Sequence, residues 1–278
     1  MHIQPLAGAL GAEVHGVTLA SLADERAWRE IHRAFLDYSV LVFREQALEP
    51  ADLMRVGQRF GEPCHYPFVT GIEGYPYIFE VVKEEQETTN FGGSWHSDTT
   101  YLREPPLATL LYAVETPAHG GDTLFANTSA AYEALSPGMR AMLKGLIGVN
   151  SAALKYGGGR SKMHKGIAGM QVHDTDEAEQ YVAEHPVVRT HPETGRKALY
   201  VSRSHTIHFK DMTEAESRPL VELLQGHQTR PEFTCRVRWT PGTLTAWDNR
   251  CTQHCAVNDY HGQRRRMRRL TVGPQAPR

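Results

Sequence analysis

A mainly β fold with helices at its periphery is what the sequence predicts. Two features lead there: short apolar runs bounded by Gly and Pro turns recur along the chain, and helical periodicity is confined to a few segments. Such a succession of short strands favours a sandwich or barrel over a doubly wound sheet.

The elements follow in order. Residues 23–38 repeat apolar side chains at helical spacing: Ala27, Trp28, Ile31, Ala34 and Phe35. "SVLVF", residues 39–43, reads as a buried strand, and "PADLMRVGQRF" as a second helix with Pro50 in its first turn. "TSAAYEALSPGMRAMLKGL" reads as helical turns interrupted at Ser136-Pro137. Strands are expected at residues 108–114, 197–201, 233–239, 244–247 and 265–272, several set off by turns such as "PAHGGD" and "TPG". Residues 156–184 are rich in Gly and Lys, poor in large aliphatics and long for a connection, so a lid that orders on substrate binding is expected there. No linker divides the chain; one domain over residues 1–278 is expected.

Composition excludes several functions. Thirty Lys plus Arg against 32 Asp plus Glu leave a net charge of -2, so nothing global draws the chain to nucleic acid or to a membrane. No apolar run approaches the ~20 residues of a membrane span, and "MHIQPLAGALGAEVHG" lacks the layout of a signal peptide. Four cysteines are too few for a disulfide scaffold, so a cytoplasmic protein is expected.

Chemistry concentrates in "GGSWHSDTTY", where His96 and Asp98 stand two residues apart. On a strand, positions i and i+2 share a face, and an imidazole with a carboxylate makes two thirds of the 2-His-1-carboxylate triad of non-haem Fe(II) oxygenases. An isolated H-x-D is more often a polar turn or a structural pair. His254, in "WDNRCTQHCAVNDY", is the candidate third ligand. A rival zinc set of Cys251, His254 and Cys255 lacks the second arm of a closed site. Then comes "RRRMRR". If it lies on a strand, Arg265, Met267 and Arg269 face one way and Arg264, Arg266 and Arg268 the other. A buried guanidinium needs an anion, and its planar fork suits a carboxylate.

Together these residues resemble the taurine dioxygenase and phenoxyalkanoate dioxygenase family of Fe(II)/2-oxoglutarate-dependent oxygenases. The resemblance covers nearly the whole chain and is densest in "WHSDTTYLREPPLATLL", "GGDTLFANTSAAYEALSP", "HPVVRTHPETGRKALYV" and "WDNRCTQHCAVNDYHGQRRRMRRLTV". It implies a double-stranded β-helix, or jelly roll, with helices outside one sheet. It implies His96, Asp98 and His254 as iron ligands, and Arg265, the eleventh residue after His254, with Thr123 as the grip on 2-oxoglutarate. O2 completes the set, and Asp98 implies hydroxylation, since related halogenases place a small residue there.

Arg269 matches the arginine that holds the substrate's anionic group. The alternative is that Arg269 pairs with a protein carboxylate, Asp259 or Asp248 for instance. This sequence departs from the taurine enzyme at Tyr66, with His65 beside it, and at His205, so a different small anionic organic substrate is implied: a sulfonate, an alkyl sulfate or an aryloxyalkanoate. A homo-oligomer, dimer or tetramer, is expected. A second reading keeps the fold but only binds a metal or small anion; the intact triad and Arg265 oppose it.

Overall fold

The computed structural model describes residues 1–153 and 180–277. The expected lid therefore lies mostly outside the described residues; its last part, from Val182, is strand.

Sixteen strands and five helices are described: β1 (His2–Pro5), β2 (Ala12–His15), α1 (Glu25–Tyr38), β3 (Val40–Phe43), α2 (Pro50–Gln58), β4 (Pro63–Cys64), β5 (Ile78–Lys83), β6 (Pro106–Glu115), β7 (Thr123–Asn127), α3 (Thr128–Glu133), α4 (Pro137–Leu143), β8 (Ile147–Ser151), β9 (Val182–Pro186), β10 (Val188–Thr190), β11 (Lys197–Leu199), β12 (Thr206–Phe209), α5 (Glu214–Gln228), β13 (Thr234–Val237), β14 (Leu244–Asp248), β15 (Thr252–Ala256) and β16 (Arg265–Pro274).

Local chemistry sets the helix ends. The Asp24 side chain accepts from Arg26 N to cap α1, whose Trp28, Ile31, Ala34 and Phe35 are buried, and Ser39 ends it in a left-handed conformation, φ 60°. α2 starts with Pro50 after the reciprocal Glu49–Asp52 box, and Ser136 caps α4. α5 was not among the expected helices; it carries Pro219 inside it, and a Thr213–Glu216 box secures its first turn.

The large sheet runs β1-β2-β3-β14-β6-β16-β4, with β5 also paired to β16. Strand alternation divides its side chains between two cores. Leu41, Phe43, Leu110, Tyr112, Leu244, Ala246, Leu270 and Val272 pack toward α1 and α2. Val40, Val42, Leu111, Ala113, Trp247 and Met267 point the other way, onto Phe125 of β7 and Val237 of β13. That inner face is closed by the sheet β13-β7-β15, with β12-β8-β9 and the hairpin β10-β11 beyond it. The result is the expected jelly roll. Among the described residues no helix is long and apolar enough to cross a membrane.

Candidate active site

The inner face of β16 alternates as the sequence predicts. Arg265, Met267 and Arg269 are buried, while Arg266 and Arg268 are half-buried on the opposite face. Outward, Arg264 pairs with Glu84 and Glu115, and Arg266 with Glu80 at 2.6 Å. Antiparallel register sets Arg265 opposite Lys83 and Arg269 opposite Phe79 on β5.

The segment holding His96 differs from expectation: it is not a strand. His96 makes one reciprocal backbone pairing with His254 of β15, its N–H donating to His254 O at 3.1 Å and its carbonyl oxygen accepting from His254 N at 2.8 Å. The next rung is a side chain, the Ser97 hydroxyl donating to Thr252 O at 2.7 Å. β15 has β7 on its other edge, so the ladder ends there and the chain turns, with Thr99 at φ 43°. Asp98 thus reaches His96 through a turn rather than through strand alternation.

The three side chains nonetheless converge. Ligand atoms of His96, Asp98 and His254 all lie within 4.8 Å of one another, all three residues buried. Asp98 Oδ1 is 3.6 Å from His96 Nε2 and 3.7 Å from His254 Nε2. His96 Nδ1 donates to Ser94 O at 2.6 Å, which fixes the tautomer that turns the Nε2 lone pair to the cluster. The His254 ring stacks near Phe125 and lies 4.8 Å from Trp247. Behind the carboxylate, Thr109 donates to Asp98 Oδ2 at 2.6 Å, Asn249 Nδ2 donates to Thr109, and Trp247 Nε1 donates to Asn249 Oδ1. Sequence reasoning missed Thr109 and Asn249; the signal was a hydroxyl inside the otherwise apolar "PPLATLL" and the amide of "WDN".

Arg269 has a carboxylate partner, but neither Asp259 nor Asp248. Its Nη2 sits 2.5 Å from Asp98 Oδ1, and its guanidinium lies over the rings of Tyr66 and Phe79 at 5.7 and 5.6 Å. Burial would raise the Asp98 pKa, but Arg269, His254 and the Thr109 hydrogen bond outweigh it and hold the carboxyl at about 2. Asp259 instead accepts from Gly121 N and faces Arg236.

Arg265 is in a different state. It is 5% exposed, its Nε has no hydrogen-bond partner, and no carboxylate lies within ion-pairing distance among the described residues. Burial pushes its pKa down. It lies 5.6 Å from the Trp239 ring, whose Nε1 donates to Thr123 Oγ1 at 3.0 Å. Gly121, at φ 69°, makes room for it: a Cβ there would stand 3.1 Å from Pro117, 3.2 Å from Tyr260 and 3.4 Å from Arg265 Cδ. The cavity between these groups has apolar walls from Val81, Phe91, Leu111, Trp247 and Ala256, and polar ends from Thr123, His254, Arg265 and Arg269.

Of the remaining expected residues, His205 is buried beside His96, its Nδ1 bonded to Thr100 Oγ1 at 2.9 Å. Tyr66 packs on Phe79 and under Arg269. His65 is exposed and stacks on Tyr77 instead. The rival zinc set does not assemble: Cys251 gathers with His191 and Asp248, away from His254.

Comparison with known proteins gives the chain its family. The chain matches the family described as Taurine catabolism dioxygenase TauD, TfdA family, over residues 2–271. The chain belongs to the TauD/TfdA family. It is 36% identical to an alkylsulfatase of Acinetobacter baylyi, covering 98% of this chain and 84% of that protein. It is 35% identical to an alpha-ketoglutarate-dependent sulfate ester dioxygenase of Pseudomonas putida, covering 100% and 91%. The crystal structure of a taurine dioxygenase from Burkholderia xenovorans superposes with a TM-score of 0.81 at 35% identity, covering 99% of this chain and 90% of that one. Like other members of the TauD/TfdA family, this protein is an Fe(II)- and 2-oxoglutarate-dependent dioxygenase. Two imidazoles and a carboxylate suit Fe(II) in kind and number, and a buried guanidinium without a carboxylate suits a dicarboxylic cosubstrate.

Proposed function

We propose that this enzyme oxidises sulfate esters with an apolar alkyl chain, holding Fe(II) on His96, Asp98 and His254, the far carboxylate of 2-oxoglutarate on Arg265 and Thr123, and the sulfate on Arg269. The observation that carries this reading is the cavity itself, with one guanidinium at Arg265, a second at Arg269 and aliphatic and aromatic walls between. An amphiphilic anion matches that lining better than taurine, whose ammonium would meet apolar wall. The similarity to proteins named for alkyl sulfate and sulfate ester chemistry supports the same class.

Bound Fe(II), with 2-oxoglutarate and O2, supplies the oxidation: the cosubstrate becomes succinate and CO2, and one oxygen atom enters a substrate C–H bond. The chain's residues do the positioning. The Thr109–Asn249–Trp247 chain fixes the Asp98 carboxylate, and the Ser94 carbonyl fixes the His96 ring. Arg269 aims the sulfate so that the adjoining carbon faces the triad, and Tyr66 and Phe79 hold the guanidinium in place. Hydroxylation at the carbon bearing the ester oxygen gives a hydroxy sulfate ester. That compound collapses as its O–H proton leaves and its C–O bond to sulfate breaks, yielding an aldehyde and sulfate. The proposal also carries a homo-oligomeric, cytoplasmic enzyme, which light scattering and cell fractionation test.

The test is turnover of a medium-chain alkyl sulfate, taurine and an aryloxyacetate with Fe(II) and 2-oxoglutarate. Succinate, aldehyde and sulfate should appear in equal amounts with the alkyl sulfate. Losing a charged hydrogen bond of about 1.5–3 kcal/mol should raise the alkyl sulfate KM of Arg269→Ala roughly 10–100-fold, with the 2-oxoglutarate KM nearly unchanged. Succinate without sulfate release, or equal KM values for alkyl sulfate in both proteins, would falsify the substrate assignment.

A further inference from the structure

One oxygen, Asp98 Oδ1, is called on twice. Thr109 donates to Oδ2, so Oδ1 is the oxygen that faces the two imidazoles, 3.6 Å from His96 Nε2 and 3.7 Å from His254 Nε2. The same Oδ1 carries the Arg269 guanidinium, with Nη2 at 2.5 Å. All four side chains are buried. A divalent ion and a guanidinium on one buried oxygen repel each other, and little water is there to screen them.

The surroundings of Arg269 suit an exchange of partners. Arg250 grips Asp248 by both oxygens, whereas the Arg269 contact falls on Oδ1 while Thr109 serves Oδ2. The rings of Tyr66 and Phe79 lie 5.7 and 5.6 Å from the guanidinium carbon. Ring faces attract a cation without demanding directed hydrogen bonds, so the guanidinium can turn between neighbours and keep that support. One such neighbour is the cavity it lines together with His254 and Arg265.

We infer that Arg269 couples metal to substrate: Fe(II) and Arg269 compete for Asp98 Oδ1, and the substrate's sulfate relieves the competition by drawing the guanidinium into the cavity. This rests on the reading of Arg269 as the sulfate's partner, and adds that Fe(II) and substrate tighten each other's binding. Such coupling is reciprocal, so it is read from either side.

Fe(II) binding by anaerobic equilibrium dialysis without 2-oxoglutarate tests this, since no turnover enters the measurement. Saturating hexyl sulfate should tighten Fe(II) binding to the wild type about 10-fold. Arg269→Gln removes the charge and should bind Fe(II) roughly 10-fold more tightly than wild type without hexyl sulfate, with no further gain when it is added. Arg269→Lys restores the charge and should return Fe(II) affinity toward wild type. A residue that only supported the fold would weaken Fe(II) binding when replaced, so equal or weaker binding by Arg269→Gln overturns the competition. Anaerobic calorimetry of hexyl sulfate with the Fe(II)-loaded wild type separates this inference from the reading beneath it. Hexyl sulfate that binds without changing Fe(II) affinity overturns the coupling, needs no variant, and leaves the sulfate reading standing. Hexyl sulfate that fails to bind, with Arg269→Gln still tightening Fe(II), supports the competition and overturns sulfate as the group that relieves it.

Discussion

His96, Asp98 and His254 on one hand, and His191, Asp248 and Cys251 on the other, each gather three metal-capable atoms within 4.8 Å, fully buried. Their partners differ. Arg250 takes both oxygens of Asp248, Nε to Oδ1 at 2.9 Å and Nη2 to Oδ2 at 2.7 Å, and His191 adds a third bond at 3.0 Å. Because His191 accepts at Nδ1, its Nε2 carries the proton and has no lone pair to offer. Burial pushes the Cys251 thiol up to about 12, so it stays protonated. In the other cluster the tautomer is reversed and the Asp98 oxygen facing both imidazoles is balanced by the single arginine Arg269. Ligand types alone do not make a metal centre; the proton positions and the number of bonds the carboxylate already makes count as well.

The largest effect that would break this comparison is on Fe(II) affinity. His254→Ala should lose roughly 100-fold or more in Fe(II) binding by equilibrium dialysis, beyond the 10–100-fold typical of residues behind the ligands, whereas Cys251→Ala should bind as wild type. Equal loss in both variants would merge the two clusters.

Next comes stability. Asp248→Asn strands Arg250, leaving it only Glu193 at 2.6 Å, and should cost about 3 kcal/mol in urea unfolding, with Fe(II) binding little changed. In the wild type, burial opposes ionisation of Asp248, but Arg250 and His191 outweigh it and hold the carboxyl at about 2. A depressed carboxylate pKa stabilises fully above about pH 4 and ceases to as pH falls toward 2, a contribution of about 2 kcal/mol. The stability gap between wild type and Asp248→Asn should therefore narrow over that window; a constant gap would show that the ion pair is not its source.

The smallest effect sharpens the picture at Asp98. Thr109→Val keeps the volume but removes the hydroxyl between Asp98 and Asn249, and should weaken Fe(II) binding about 10-fold with unfolding stability reduced by only about 1 kcal/mol. Unaltered metal affinity would demote Thr109 to packing.

Much of this was legible in the sequence where periodicity and burial coincide. The faces of α1, the strand over β6 and the alternation of Arg265 to Arg269 follow from a repeat that one short segment displays in full. The short strands β7, β8 and β12 are too brief and mixed to announce themselves, and α5 carries Pro219 inside it. The turn at Asp98 depends on where the β15 edge runs out of partners, a fact of topology that no local window contains. The partner of Arg269 was illegible for the same reason, since Asp98 meets it only after β16 docks against the rest of the sheet.

The reciprocal backbone pair between His96 and His254 also bears on when the enzyme acquires its iron. More than half of the 278-residue chain lies between these two positions. In a small zinc module the ligands lie close together, so ion capture can seed the fold. Here the entropy of closing so long a loop stands in the way, and until β15 has joined β7 the chain has only His96 and Asp98 to offer. With the proposed ligands, iron is a late arrival, received by an assembled protein whose main chain has already set the gap between the two imidazoles.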